Sequence, residues 1–184
     1  MSQTTTVAVI VGSLRAASFS RKVAKALIER APEGLTGRIV EIGDLPLYNE
    51  DLETESATAW ARFREEVKAC QAVLFVTPEY NRSIPGCLKN AIDVGSRPPG
   101  KSAWLGKPAG VVSVTPYKLG AFGANQHLRQ TFVFLDMPVL QQPEAYISNA
   151  GDLFADDGKL KSEDTDKFLR AFMDKFAVWI AKVG

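Results

Sequence analysis

The sequence predicts a three-layer α/β domain built on a five-stranded parallel sheet and spanning residues 1–184 as one unit. Three observations carry this expectation. Two short runs, Val7–Val11 (VAVIV) and Ala72–Thr77 (AVLFVT), are continuously apolar, as strands covered on both faces must be. Between them lie longer segments with apolar residues three and four apart, the spacing of helices with one buried face. The two kinds of segment alternate five times, which is the pattern of crossover connections between parallel strands. With 184 residues, 46% hydrophobic and 23% charged, the chain can bury one sizeable core.

The elements follow in order. Val7–Val11 is the first strand, and Ser20–Ala31 the first helix, with Val23, Ala26 and Leu27 on its inner face and Pro32 and Gly34 ending it. Arg38–Ile42 reads as a weaker second strand. Thr58–Cys70 is helical through Trp60, Phe63 and Val67, and Ala72–Thr77 is the third strand, stopped by Pro78. Pro85–Ser96 is the next helix, with proline in its first turn and Ser83 as the expected N-cap. Pro108–Thr115 is strand four and Gly123–Leu135 the helix after it. A fifth strand is expected around Val139–Leu140, between Pro138 and Pro143. Ser162–Lys182 closes the chain as a long amphipathic helix. Five strands in this length favour the flavodoxin-like order 2-1-3-4-5, with a ligand crevice where the loops after strands one and three diverge.

The formal net charge is +1, so nothing draws the whole chain to nucleic acid or a membrane surface. The first residues carry no basic stretch, and their apolar run is too short for a signal peptide or a membrane span. Cys70 and Cys87 match neither a CxxC nor a zinc spacing, and reduced thiols in a cytoplasmic protein are expected.

The two loops that should flank the crevice are the most unusual stretches in the chain. GSLRAASFS, Gly12–Ser20, is neither a Walker A motif nor GxGxxG. It is a hydroxyl-rich loop entering a helix N-terminus, where free N–H groups and the helix dipole favour a phosphate. Ser13, Ser18 and Ser20 can donate to such a group, and Arg15 can add a charge-assisted bond. A helix cap would use one hydroxyl and leave the arginine without a task. TPEYNRSIP, Thr77–Pro85, is a stiff polar turn that could offer backbone N–H and C=O groups to a flat heteroatom ring; an ordinary turn would use the same residue types.

Together these loops and their spacing resemble the NADPH-dependent FMN reductase family of flavodoxin-like quinone and chromate reductases. The segments GSLRAASFS, TPEYNRSIPGCLKNAID and HLRQTFVFLD carry the resemblance, which runs nearly the whole chain; the middle one is the most specific. It implies that Ser13, Arg15, Ser18 and Ser20 hold the FMN phosphate, with Phe19 beside them. Glu79, Tyr80, Asn81 and Arg82 would border the isoalloxazine next to Pro78, and Thr115 would be a third contact point. Ala16–Ala17 stands where the family commonly has a glycine, and Gly120–Ala121 where a Gly-Gly pair is frequent.

The implied activity is FMN-dependent NAD(P)H oxidation, with hydride passed in turn to a quinone, a flavin or another small acceptor such as chromate, by a ping-pong scheme. NADPH or NADH would be the co-substrate, and Arg82 the first candidate to meet anionic substrates, with Arg97, Lys101 and Arg129 behind it. The alternative is a flavodoxin-type carrier without small-molecule turnover, which would be expected to show a strongly acidic docking face. No residue is assigned a catalytic proton, since the cofactor does the chemistry; His127 is expected as a helix or interface residue and Cys87 as a small buried packing residue. Lys89 would lie near the crevice, and Trp104 is as easily at an interface as buried. Phe132–Leu135 is too apolar for a helix with one wet face, so a homodimer or homotetramer is expected. Gln126 and Glu144 would make polar contacts between dimers.

Overall fold

The computed structural model describes residues 4–55, 58–155 and 158–184. The strands are β1 (Thr5–Val11), β2 (Leu35–Ile39), β3 (Ala72–Thr77), β4 (Ala109–Val114) and β5 (Ala145–Ile147). The helices are α1 (Phe19–Glu29), α2 (Thr58–Lys68), α3 (Gly86–Gly95), α4 (Phe122–Leu135) and α5 (Glu163–Val183). All strand pairings are parallel, in the order β2-β1-β3-β4-β5. This is the flavodoxin-like arrangement expected from the sequence.

Alternation along β1 explains the layers. Val7, Val9 and Val11 point to one face, where they meet Val23 and Leu27 of α1 and Phe172 and Phe176 of α5. Ala8 and Ile10 point to the other, into a second core with Trp60, Phe63, Leu88, Leu128 and Phe132 from α2, α3 and α4. β3 and β4 are buried at every position, as central strands of a covered sheet must be. Arg30, at the end of α1, donates to Asp166 of α5 at 2.7 Å through Nε, tying the two helices of the first face together. Among the described residues no helix is long and apolar enough to cross a membrane.

Three expectations are corrected, and one left open is decided. β2 begins earlier, at Leu35, because its ladder pairs Thr5 with Leu35 and Val9 with Ile39; Val40 and Ile42 are core residues beyond the strand. The fifth strand is Ala145–Ile147. Pro138–Leu140 reaches only the start of β4, through Ala109 N to Pro138 O and Leu140 N to Ala109 O, while the rest of β4 pairs with β5. Ser83 is not the cap of α3, whose N-cap is Pro85 in extended conformation with no side-chain cap bond; the Ser83 hydroxyl meets His127. Trp104 is fully buried. Its ring lies 5.8 Å from Phe63 and 5.7 Å from Phe75, and its Nε1 donates to Ile92 O at 2.9 Å.

Only Gly95 leaves room for that indole at the end of α3. A Cβ there would sit 2.4 Å from Trp104 Cε2, and the ring, hydrogen-bonded and enclosed, has nowhere to go. Gly95→Ala is therefore expected to destabilise the protein by about 1–3 kcal/mol, the usual cost of overpacking a core. Thermal melts of the two proteins check this; an unchanged midpoint would show that the indole can shift.

Candidate functional site

A cleft of about 400 Å³ opens at the C-terminal ends of β1, β3 and β4. That size suits a small-molecule ligand. The position follows from the strand order, since the chain leaves β1 and β3 toward opposite faces of the sheet. Gly12 lets the two exits run close together. Its N–H donates to Val76 O at 2.9 Å, and a Cβ on it would stand 2.8 Å from Thr77 Oγ1. Ten of the eleven residues expected at the site line this cleft; Asn81 is the exception.

On the β1 side, Ser18 is the N-cap of α1, and its Oγ accepts from Arg21 N at 3.1 Å. The capping role and a place in the cleft thus fall on the same serine. Ser13 and Ser20 are different: both are buried, 5% and 2% exposed. Neither hydroxyl bonds to any other group among the described residues, yet both line the cleft. Arg15 is exposed, and its guanidinium likewise has no ion pair or hydrogen bond among them, whereas the nearby Arg21 is held by Glu41 at 2.8 and 2.6 Å. Two inward hydroxyls, an unpaired guanidinium and a helix N-terminus fit a phosphate group by their chemistry. Phe19 borders them, half-buried.

On the β3 side, Pro78 leads into a tight turn. Tyr80 N donates to Ser83 O and Ser83 N to Tyr80 O, both at 2.9 Å. Asn81 and Arg82 between them sit at φ 51° and 63°, the left-handed pair that a two-residue hairpin loop requires. Asparagine adopts this readily; for arginine it costs about 1–2 kcal/mol. Asn81 is exposed and does not line the cleft, while Tyr80 and Arg82 do. Glu79 is largely buried. Its Oε2 accepts from Ala124 N at 3.1 Å, at the N-terminus of α4, and its Oε1 accepts from Arg82 at 3.0 Å.

The third wall comes from the exit of β4. Thr115 is there as expected, its Oγ1 accepting from Tyr117 N at 3.2 Å. Pro116, Tyr117, Leu119 and Ala121 also line the cleft, and sequence reasoning missed them. The signal was available, because the exit of β4 was already a contact point and the residues after it follow directly. Gly120 and Ala121 take φ 60° and 57°, so the alanine at the departure from Gly-Gly adopts the backbone that glycine would take more easily. A buried chain of hydrogen bonds holds this loop. Ser113 Oγ donates to Gly120 O at 2.6 Å, Asn125 Nδ2 to Ser113 Oγ at 3.2 Å, and Arg129 Nε to Asn125 Oδ1 at 2.9 Å.

That network removes Arg129 from the substrate-binding candidates. Its guanidinium faces inward and donates to Leu140 O at 3.0 Å, one Nη is buried without a partner among the described residues, and burial pulls its pKa down. Arg97 lies instead over the Tyr48 ring in a separate hollow, which Lys89, paired with Asp93, also lines. Lys101 does not line the cleft. Cys87 is half-buried behind Gly12, where desolvation pushes its thiol up and so disfavours the thiolate. Gln126 and Glu144 contact one another within the chain, at 3.3 Å, and both reach the Tyr146 hydroxyl.

With this geometry in view, comparison with known proteins is specific. The family model for NADPH-dependent FMN reductases matches residues 5–152. A quinone reductase of Pseudomonas putida is 65% identical over 181 residues, 98% of this chain and 97% of that protein. A 2-hydroxy-1,4-benzoquinone reductase of Burkholderia is 42% identical over 95% of each chain. Among solved structures, the flavoenzyme NAD(P)H:(acceptor) oxidoreductase FerB of Paracoccus denitrificans superposes with a TM-score of 0.92 at 42% identity, covering 98% of this chain and 99% of that one. A fold laid down from strand order, a three-loop cleft and full-length relatives agree: the chain belongs to the NADPH-dependent FMN reductase family.

Proposed function

We infer that the chain is an FMN-dependent NAD(P)H:quinone oxidoreductase. The observation that carries this is that one cleft gathers Ser13, Ser20 and Arg15, whose side-chain polar groups have no partners among the described residues, from the loop after β1, with Pro78, Tyr80, Tyr117 and Leu119 from the loops after β3 and β4. An FMN offers both a phosphate and a flat ring to such a lining. Bound there, it would supply the two-electron hydride chemistry that links a nicotinamide to the acceptor.

The chain's own residues do the rest. Ser13, Ser18, Ser20 and Arg15 would grip the phosphate, with the N-terminus of α1 behind them. Phe19, Pro78, Glu79, Tyr80, Asn81, Arg82 and Thr115 complete our assignment, Asn81 through the backbone of the turn. Tyr80, Tyr117 and Leu119 are 48%, 76% and 61% exposed, an apolar rim fitted to a quinone entering from solvent. Arg82, with its side chain 74% exposed, is the cation best placed to steer anionic acceptors. Free flavins and chromate are further acceptors we assign to the same open cleft. The near balance of 22 basic and 21 acidic residues speaks against a docking carrier of the flavodoxin type.

We assign the protein to the cytoplasm, in keeping with two free thiols. We further propose self-association through α4. Its Phe132 and Leu135 are buried, while Val133 and Phe134 are 84% and 89% exposed. Adjacent large apolar residues left in water at a helix end mark an interface better than a solvated face.

Two measurements test these assignments. Flavin released from the purified protein should be FMN, and Arg15→Ala should weaken FMN binding about ten- to a hundredfold, the equivalent of about 1.5–3 kcal/mol for a charge-assisted contact, with little change in apo-protein melting. Recovery of FAD, or undiminished affinity, would overturn the phosphate assignment. Light scattering with size exclusion should show a species at a multiple of 20.1 kDa that Phe134→Glu dissociates. A fully active species of 20.1 kDa would sink the self-association proposal.

A further inference from the structure

Ser83 Oγ and His127 Nδ1 are hydrogen-bonded at 2.9 Å, joining the far end of the 80–83 turn to the second turn of α4. We propose that His127 is a positioning residue: through Ser83 it clamps the turn against α4 and so fixes Tyr80 and Arg82 at the mouth of the cleft for the incoming substrates. The proposal rests on the flavin-dependent reading above, since it concerns how that site meets NAD(P)H and the acceptor.

The turn needs an external clamp. Both central residues hold positive φ, and Arg82 has no intrinsic preference for it. A backbone in that conformation persists only where its surroundings over-determine it. Three contacts do so here, and all come from one face of α4. Gly123 makes room for the Arg82 carbonyl, which would lie 2.9 Å from a Cβ at that position. Ala124 N donates to Glu79 Oε2 at 3.1 Å, securing the entry to the turn. His127 lies four residues beyond Gly123, hence above it on the same face, and secures the exit.

Imidazole suits this task. A neutral Nδ1 can accept from the serine hydroxyl and a protonated one can donate to it, so the link survives either form. The platform is fixed as well, because Asn125, on the opposite side of the same helical turn, is buried and bonded to Ser113 of β4. Tyr80 and Arg82 project from the clamped backbone into the cleft with exposed side chains, so the turn's position sets their reach.

The test is steady-state NADPH oxidation with a quinone acceptor, using wild-type holoenzyme, Ser83→Ala, His127→Ala, the double variant and His127→Asn, which puts an amide where Nδ1 stood. Each alanine variant should raise KM for both substrates about two- to tenfold, the range expected for one neutral hydrogen bond, with kcat and melting temperature nearly unchanged. The double variant should be no worse than either single one, and His127→Asn should recover most of the loss. Additive effects of the two alanine variants, unchanged KM in an active enzyme, or a parallel fall in melting temperature that His127→Asn does not recover would each overturn the clamp alone. A wild-type protein that takes up no flavin overturns the functional reading and the clamp with it.

Discussion

The pairing of β1 with β3 is the constraint on which the rest depends. Five consecutive residue pairs, from Val7–Ala72 to Val11–Val76, lock the two strands side by side in the middle of the sheet. Both are buried on both faces, so neither can carry the polar groups a ligand needs. Those groups must lie beyond the ends of the ladder, and because the strands are parallel, both ends lie on the same edge. The chain then departs to opposite sides, through α1 on one face and α3 on the other. A crevice is the geometric remainder. Gly12 refines it, since any side chain there would collide with Thr77 and force the two exits apart.

Around that crevice the backbone is held in conformations that side chains disfavour. Asn81, Arg82 and Ala121 all have positive φ, and all belong to the loops that wall the cleft. Such positions survive only where other interactions offset them. The offsets here are visible: the Glu79 carboxylate on the N-terminus of α4, the Gly123 hollow under Arg82, and the Ser113–Asn125 pair beneath Gly120. Polar groups that look structural when taken singly therefore shape the site. Glu79 also lines the cleft itself, whereas Gly123, Ser113 and Asn125 do not, yet the walls keep their form through all of them.

What could be read from the sequence follows from how local each signal is. β1 and β3 are apolar runs between unmistakable breaks, and the hydroxyl-rich loop between Gly12 and α1 is a departure from everything around it. These were legible because each residue's own type states its environment. β5 was not. Three residues, Ala145–Ile147, form it because β4 offers an open edge there, whereas the more apolar Val139–Leu140 meets only the first residue of that edge. The role of Ser83 was hidden for a related reason. A serine two residues before a helical proline reads as a cap, and only the packing of α4 brings His127 within 2.9 Å to claim its hydroxyl. Trp104, set among glycine, proline and lysine, gave no local sign that Gly95 had left a slot for it.

The helix α4 joins these threads. Over 14 residues, about 21 Å at 1.5 Å per residue, it presents three different surfaces. Its first turns grip the 79–83 loop through Ala124, Gly123 and His127; its middle is anchored to β4 through Asn125; its end carries Val133 and Phe134 into solvent. A hydrogen-bonded helix transmits axial displacement with little loss, whereas the loops it touches bend easily. The exposed end therefore belongs to the same rigid body that fixes the cleft's β3 wall. The buried Ser113–Asn125–Arg129 chain sits between the two ends and ties that body to the sheet. It is this anchoring, more than contact with any ligand, that gives polar residues a reason to lie in an otherwise apolar interior.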